Sequence, residues 1–325
     1  MAEGLREALR RLSGPEPGST ILRAAQALAD LGGQAVHGVI FFGSRRSGVP
    51  TDAFSAHDFF VVVDRYRPFY DRLRVARAVR RSPSLLSALN ACMPPNQLSL
   101  RVDLDRQPLR AKCAVIRLAD LRRATGPGRR DHFCVGRLVQ PVTIAHAADE
   151  SAHEALLDAL HSAHEQTLAW VRPFLPARFD AEEYARALLR VSMSWEVRPE
   201  PAGRADALFE AQRQYHREVF GILLAELAQR GELVAATEGG YSLARRVGAL
   251  ERLRLGLYFR RSLARATLRW FKHMVTYEGW VDYILHKASR HTGYEAELTE
   301  RERRWPWLFL WPRLFRFFKH RDGRR

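Results

Sequence analysis

Apolar residues gather in two short unbroken runs early in the chain, VHGVIFF at 36–42 and DFFVVVD at 58–64. Both are rich in β-branched or aromatic residues and bounded by turn formers, which predicts strands buried on both faces. QLSLRVDLD at 97–105 alternates instead. Leu98, Leu100, Val102 and Leu104 fall on one face, and Ser99, Arg101, Asp103 and Asp105 on the other. Neighbouring side chains of a strand point to opposite sides, so this run predicts a strand with one covered face. CAVIRL at 113–118 is a further strand candidate. Helical spacing marks 19–31, with Ser19 or Thr20 placed to cap it, and also 68–82. These elements predict an α/β domain over 1–147.

The pattern then becomes helical, at 151–171 and 181–195. Residues 219–245 read as helix, strand, Gly-Gly turn and strand, an order that resembles a winged-helix module. We therefore expect a helical, winged-helix-like domain over 148–250. Basic helices over 251–325 end in an aromatic segment. The expected fold class is α/β followed by α, with C-terminal amphipathic helices.

Composition adds a partner class. Of 325 residues 46% are hydrophobic, enough for a substantial core, and 52 basic residues outnumber 36 acidic ones for a net charge of +16. Such a surplus points to an anion, whether nucleic acid, nucleotide or anionic lipid. The wing-like segment carries Glu226, Glu232 and Glu238 beside Arg230 and Arg245, so a packing or substrate-domain role is expected there rather than nucleic-acid binding. Cys92, Cys113 and Cys134 include no CxxC pair, so neither a zinc site nor a disulfide framework is expected, and a reducing cytoplasm fits best. The N-terminal residues lack the apolar stretch of a signal peptide, and no run of 18 apolar residues occurs. His146, His153, His161 and His164 are read as a solvated helix face rather than a metal site.

Candidate chemistry begins where the first strand ends in Gly43-Ser44 and the next opens on Asp58. Glycine lets the backbone approach a phosphate closely, while N–H groups and the serine hydroxyl donate to its oxygens. A carboxylate beside the same phosphates holds Mg²⁺ between them. This arrangement resembles the signature of the nucleotidyltransferase superfamily, whose fold has a mixed sheet. Ala56 stands where a second carboxylate is often found, and Asp103, or less readily Asp105, is the candidate to complete the metal site. Arg45 and Arg46 in the intervening loop suit a triphosphate or an anionic acceptor. The alternative is a structural Gly-Ser turn with an Asp at the strand edge.

A closer resemblance lies in LRAKCAVIRLADLRRATGPGRRDHFCVGRLVQPVTI at 109–144 and LLRVSMSWEVRPE at 188–200. In order and spacing these resemble the mitochondrial-type phosphatidate cytidylyltransferases, the translocator assembly and maintenance family. Lys112, Val115, Ile116, Asp120, Leu121, Gly136, Arg137, Leu138, Pro141 and Val142 carry the first match, and Ser192, Glu196 and Arg198 the second. The resemblance implies transfer of a cytidylyl group from CTP to phosphatidic acid, giving CDP-diacylglycerol and pyrophosphate with Mg²⁺. It implies Asp58 and Asp103 as metal ligands and Lys112 as a catalytic cation. Gly43, Ser44, Arg137, Ser192, Glu196 and Arg198 would contact nucleotide or phosphate. Glu196 and Arg198 also read as a structural ion pair.

The aromatic segment WPWLFLWPRLFRFF at 305–318 is broken by Pro306 and Pro312 and flanked by arginines. It is too interrupted to span a bilayer and has the pattern of an interfacial anchor on an anionic surface. Trp305, Trp307, Phe309, Trp311, Phe315 and Phe318 are the expected membrane contacts. The expected place is therefore cytoplasmic, peripheral on the inner face of the membrane. A tail folded over the protein's own core is the alternative. Two other functions stay open: nucleotidyl transfer to another acceptor, and an inert membrane-bound or nucleic-acid-binding protein of the same fold.

Overall fold

A computed structural model describes residues 3–16, 19–43, 45–46, 56–104, 107–195, 203–236 and 240–277. In chain order the elements are α1 (Leu5–Leu12), α2 (Thr20–Gly32), β1 (Val36–Phe42), β2 (His57–Val63), α3 (Tyr66–Val75), α4 (Pro83–Cys92), β3 (Asn96–Leu104), β4 (Gln107–Arg117), α5 (Leu118–Thr125) and α6 (Val135–Leu138). There follow β5 (Thr143–Ala147), α7 (Glu150–Glu165), α8 (Leu168–Val171), α9 (Ala181–Ser194), α10 (Arg204–Ala211), α11 (Arg213–Gln229), β6 (Leu233–Ala235), β7 (Tyr241–Leu243) and α12 (Ala249–Thr276). The chain divides into two compact units, Met1–Thr276 and Tyr277–Arg325.

The expected α/β architecture with a mixed sheet is found. Five strands run in the order β3-β4-β2-β1-β5, with β2 and β4 parallel and the other pairs antiparallel. The central strands are covered on both sides, which is why they read as continuous apolar runs. Phe59, Val61 and Val63 of β2 join Cys113 and Val115 of β4 in one core, beneath α2 and α3. Phe60 and Val62 join Ala114 and Ile116 in the other, where α7 brings Leu156 and Leu160 to the sheet and α9 and α11 add Leu188, Phe220 and Leu223 to the same core. Gly38 permits this approach: a Cβ there would lie 2.5 Å from Leu156 Cδ1 and 2.9 Å from the His146 carbonyl oxygen.

Local signals hold in part. Ser19 caps α2 by accepting from the Leu22 N–H at 3.3 Å. The helix expected over 68–82 is shorter and earlier, Tyr66–Val75, because Arg77 takes φ +56° and turns the chain. Arg74 then donates to the carbonyls of Val79 and Arg80, fixing the turn. On the edge strand β3, Leu98, Leu100 and Val102 are buried as the alternation required, while Arg101 and Asp103 are exposed. The helix–strand–strand order expected over 219–245 is present as α11, β6 and β7. His164 corrects the expectation of a solvated histidine face. It is fully buried, with Nδ1 2.8 Å from the Leu160 carbonyl oxygen and Nε2 3.2 Å from the Tyr215 hydroxyl, and burial pushes its pKa down to about 4.

Candidate functional site

The register of three strands assembles the centre of the site. Phe42, the last residue of β1, pairs with Asp58 of β2, and Asp58 pairs with Lys112 of β4. Gly43 follows immediately at φ +90°, and a Cβ there would lie 2.7 Å from Asp58 Oδ2. Only glycine fits that turn, so the Gly43 backbone stands directly against the Asp58 carboxylate. Lys112 Nζ lies 3.7 Å from Asp58 Oδ1. Both side chains are about a quarter exposed, so the pair is open to a ligand on one side. His57, beside them, is pushed down to about 4 by burial and then by the Arg45 charge, against the pull of Asp58.

Arg137 reaches the same face through an aromatic step. Phe60 is the next residue after Asp58 on its side of β2, and the Phe133 ring meets it edge-on at 6.3 Å. The Arg137 guanidinium carbon lies 3.9 Å from the centre of that Phe133 ring, and Nη1 donates to the Phe133 carbonyl at 2.8 Å. Ser192 sits one layer below. It is buried, its hydroxyl is 3.2 Å from His132 Nε2, and a Cβ on Gly136 would lie 3.6 Å from its own Cβ. His132 is neutral at ordinary pH because burial, then the Arg129 charge, pushes it down to about 3. Ser192 thus supports the α6–α9 contact beneath Arg137.

Asp103 is not brought to Asp58. It pairs with Pro108 near the tip of the β3–β4 hairpin, whereas Ser99 is the β3 residue level with Lys112. Four residues at about 3.3 Å each, and two strand spacings of about 4.8 Å, put the Cα atoms of Asp58 and Asp103 roughly 16 Å apart, too far for their carboxylates to meet on one ion. The expectation that Asp58 and Asp103 share one metal is corrected on this register. Ser44, Asp105, Glu196 and Arg198 lie outside the described residues, as do Trp305, Trp307, Phe309, Trp311, Phe315 and Phe318.

The donor set bears on Mg²⁺. A single carboxylate beside a lysine is too little for an all-protein metal cage, but Mg²⁺ typically keeps waters and binds one or two carboxylates plus substrate phosphates. Asp58 fits that second mode. Among the described residues, Glu150, His153 and Glu154 on α7 also place ligand atoms within 4.8 Å of one another. Glu154 is, however, gripped by Arg6 and Arg10 at 2.5 Å each, and their hydrogen bonds, then their charges, hold it down at about 2. That group is an ion-pair network tying α1 to α7.

Sequence reading missed the contribution of α12. Arg265 and Arg269 both reach Asp131 Oδ2, at 2.9 and 2.6 Å. Burial pushes the Asp131 carboxyl up, but the Arg269 charge and the bonds from both arginines outweigh it and hold it below its ordinary range. The Arg269 guanidinium carbon also lies 4.7 Å from the Phe133 ring centre, beside Arg137. Lys272 donates to the carbonyls of Met93 and, at 2.7 Å, Pro95, and Thr276 donates to Gln97 O at 3.0 Å. The helical spacing of Arg265, Arg269, Lys272, His273 and Thr276 was a visible signal, but nothing local said what that face meets.

No family model matches the chain, and no curated protein matches it.

Proposed function

We propose that the chain is a Mg²⁺-dependent nucleotidyltransferase that moves a cytidylyl group from CTP to phosphatidic acid at a membrane surface. The observation that carries the transferase reading is the convergence of Gly43, Asp58 and Lys112 at one end of the sheet. Phosphoryl-type transfer asks the protein mainly for positioning and charge neutralisation, and these three residues with Arg137 offer both. The choice of CTP and phosphatidic acid rests on the resemblance of 109–144 and 188–200. The five-stranded mixed sheet is compatible with a nucleotidyltransferase fold, and α11, β6 and β7 with a winged-helix module.

In this reading the backbone at Gly43 takes the triphosphate, with no side chain to hold it off. Asp58 is the residue that would hold Mg²⁺, and the ion would supply screening of the phosphate charge. Lys112, a compact ammonium beside that carboxylate, neutralises charge gathering on the leaving pyrophosphate. Arg137 orients a phosphate through its planar fork. An oxygen of the acceptor phosphate forms a bond to the α-phosphorus as the bond to the bridging β-oxygen breaks, and pyrophosphate leaves with that electron pair. The acceptor is already ionised near neutral pH, so no side chain need remove a proton.

Placement at the bilayer follows from the aromatic, arginine-flanked segment 305–318. Among the described residues no helix is long and apolar enough to cross a membrane. The test is conversion of labelled CTP into a lipid-extractable product by purified protein with Mg²⁺ and phosphatidic acid vesicles. Label found only in the aqueous phase would refute the acceptor assignment.

A further inference from the structure

The α12 face beside Arg137 carries polar atoms that the fold itself does not use. Arg269 is only 1% exposed, and its Nη2 serves Asp131 and the Pro94 carbonyl. Its Nε and Nη1 are buried and meet no hydrogen-bond partner among the described residues. His273 lies one turn further along the same face, and its Nε2 is likewise buried without a partner. A buried donor left without a partner is destabilising, so three on two adjacent side chains call for an explanation.

Position and charge narrow the explanation. Arg137 and Arg269 sit on one aromatic ring, Phe133, at 3.9 and 4.7 Å. Phe133 in turn abuts Phe60, two residues from Asp58 on the same face. Among the described residues, Asp131 already takes both Arg265 and Arg269 on one carboxylate oxygen, and neither Arg269 Nε, Arg269 Nη1 nor His273 Nε2 has a carboxylate beside it to share a metal ion. An apolar ligand would leave the three nitrogens unsatisfied. A phosphate offers several acceptor oxygens in the geometry a guanidinium fork prefers.

We propose that α12 supplies a phosphate-binding subsite, built from Arg269 Nε and Nη1, His273 Nε2 and Arg137, for a phosphate group of one of the two substrates. The role assigned to that phosphate rests on the nucleotidyltransferase reading. The local titration behaviour agrees with it. Burial, then the charges of Lys272, Arg269, Lys112 and Arg137, holds His273 far below its ordinary pKa. It is therefore neutral, and its Nε2–H tautomer donates to an anion without adding charge. Burial and then the Arg269 charge push Lys272 down to about 6. A bound phosphate opposes those same positive fields.

The test uses the full chain and two soluble probes, CTP with Mg²⁺ and dihexanoyl phosphatidic acid, with affinity measured by calorimetry for wild type and His273→Phe. Removing an unpaired buried nitrogen leaves the melting temperature equal or higher, while affinity for one probe falls about tenfold or more. The probe that weakens identifies the source of the phosphate, nucleotide or lipid headgroup. His273→Gln, which keeps a side-chain N–H, regains part of the loss. Unchanged affinity for both probes in His273→Phe overturns the subsite. As a check that needs no variant, the His273 imidazole ¹⁵N resonance of the wild type moves on adding inorganic phosphate, and a resonance unmoved at saturation also overturns it. If wild type binds phosphatidic acid but no nucleotide, and His273→Phe loses that binding, nucleotidyl transfer fails while the subsite stands.

Discussion

Replacing Gly43 with alanine separates the site's geometry from the fold's stability. At φ +90° the backbone is in a region that costs an alanine about 1–2 kcal/mol. Its Cβ would also stand 2.7 Å from Asp58 Oδ2 and 3.2 Å from Asp58 Cβ, where ordinary contact begins at 3.4 Å. The carboxylate must therefore retreat by roughly 0.7 Å, and Lys112, 3.7 Å from its other oxygen, loses its alignment with it. A misplacement of about 1 Å in a reacting site costs on the order of 10²-fold, so Gly43→Ala should lower kcat about 10- to 100-fold. The strain alone lowers Tm by only about 2–8 °C for a unit of this size. Gly38→Ala is the control: its Cβ would collide with Leu156 and the His146 carbonyl inside the core, so it costs stability while turnover per folded molecule persists. The assay is pyrophosphate release at saturating CTP, normalised to the folded fraction from circular dichroism. Gly43→Ala protein that keeps more than half of wild-type turnover, or that loses activity only in step with unfolding, would refute this account.

Three further outcomes are expected. Asp103→Asn, placed at the hairpin tip by the register of β3, should leave Mg²⁺-dependent turnover within about twofold of wild type; a loss as severe as that of Asp58→Ala would restore a shared metal site. The pKa of buried His164 is lowered to about 4 from 6.5, so its contribution to stability is present above 6.5 and is lost as pH falls toward 4. Urea midpoints should drop across that window, in which buried His132 and His216 also contribute, and His164→Gln should lessen the drop; an equally steep loss in the variant would exclude His164 as a source. Deleting 301–325 should abolish co-sedimentation with anionic vesicles while leaving the melting profile of the remainder in place, and retained co-sedimentation would point to another membrane contact.

What was legible in the sequence follows the range of the forces involved. The strands at 36–42 and 58–64 could be read because burial on both faces makes a strand apolar throughout. Asp58 could be singled out as the acid opening a buried strand, and Lys112 through the resemblance of 109–144. The alternation of 97–105 gave the correct buried face, Leu98, Leu100 and Val102, yet not the partner of Asp103. Face is a local property, whereas register is set by pairing with β4. β5, five residues at a sheet edge, and α4, whose only buried side chains are Leu86 and Asn90, carry too little periodicity to stand out. His164 was misread because its partners, the Leu160 carbonyl and Tyr215, are known only once α7 and α11 pack. The α12 cations were visible as a helical stripe, but their meeting with Phe133 and Asp131 spans more than a hundred residues.

The most direct test of the central claim is pyrophosphate release by purified wild type and Asp58→Ala, with Mg²⁺ and each of the four nucleoside triphosphates, with and without phosphatidic acid liposomes. The account predicts release from CTP that requires the lipid and disappears in Asp58→Ala. Release that ignores the lipid, release that survives in Asp58→Ala, or no release from any nucleotide would contradict it.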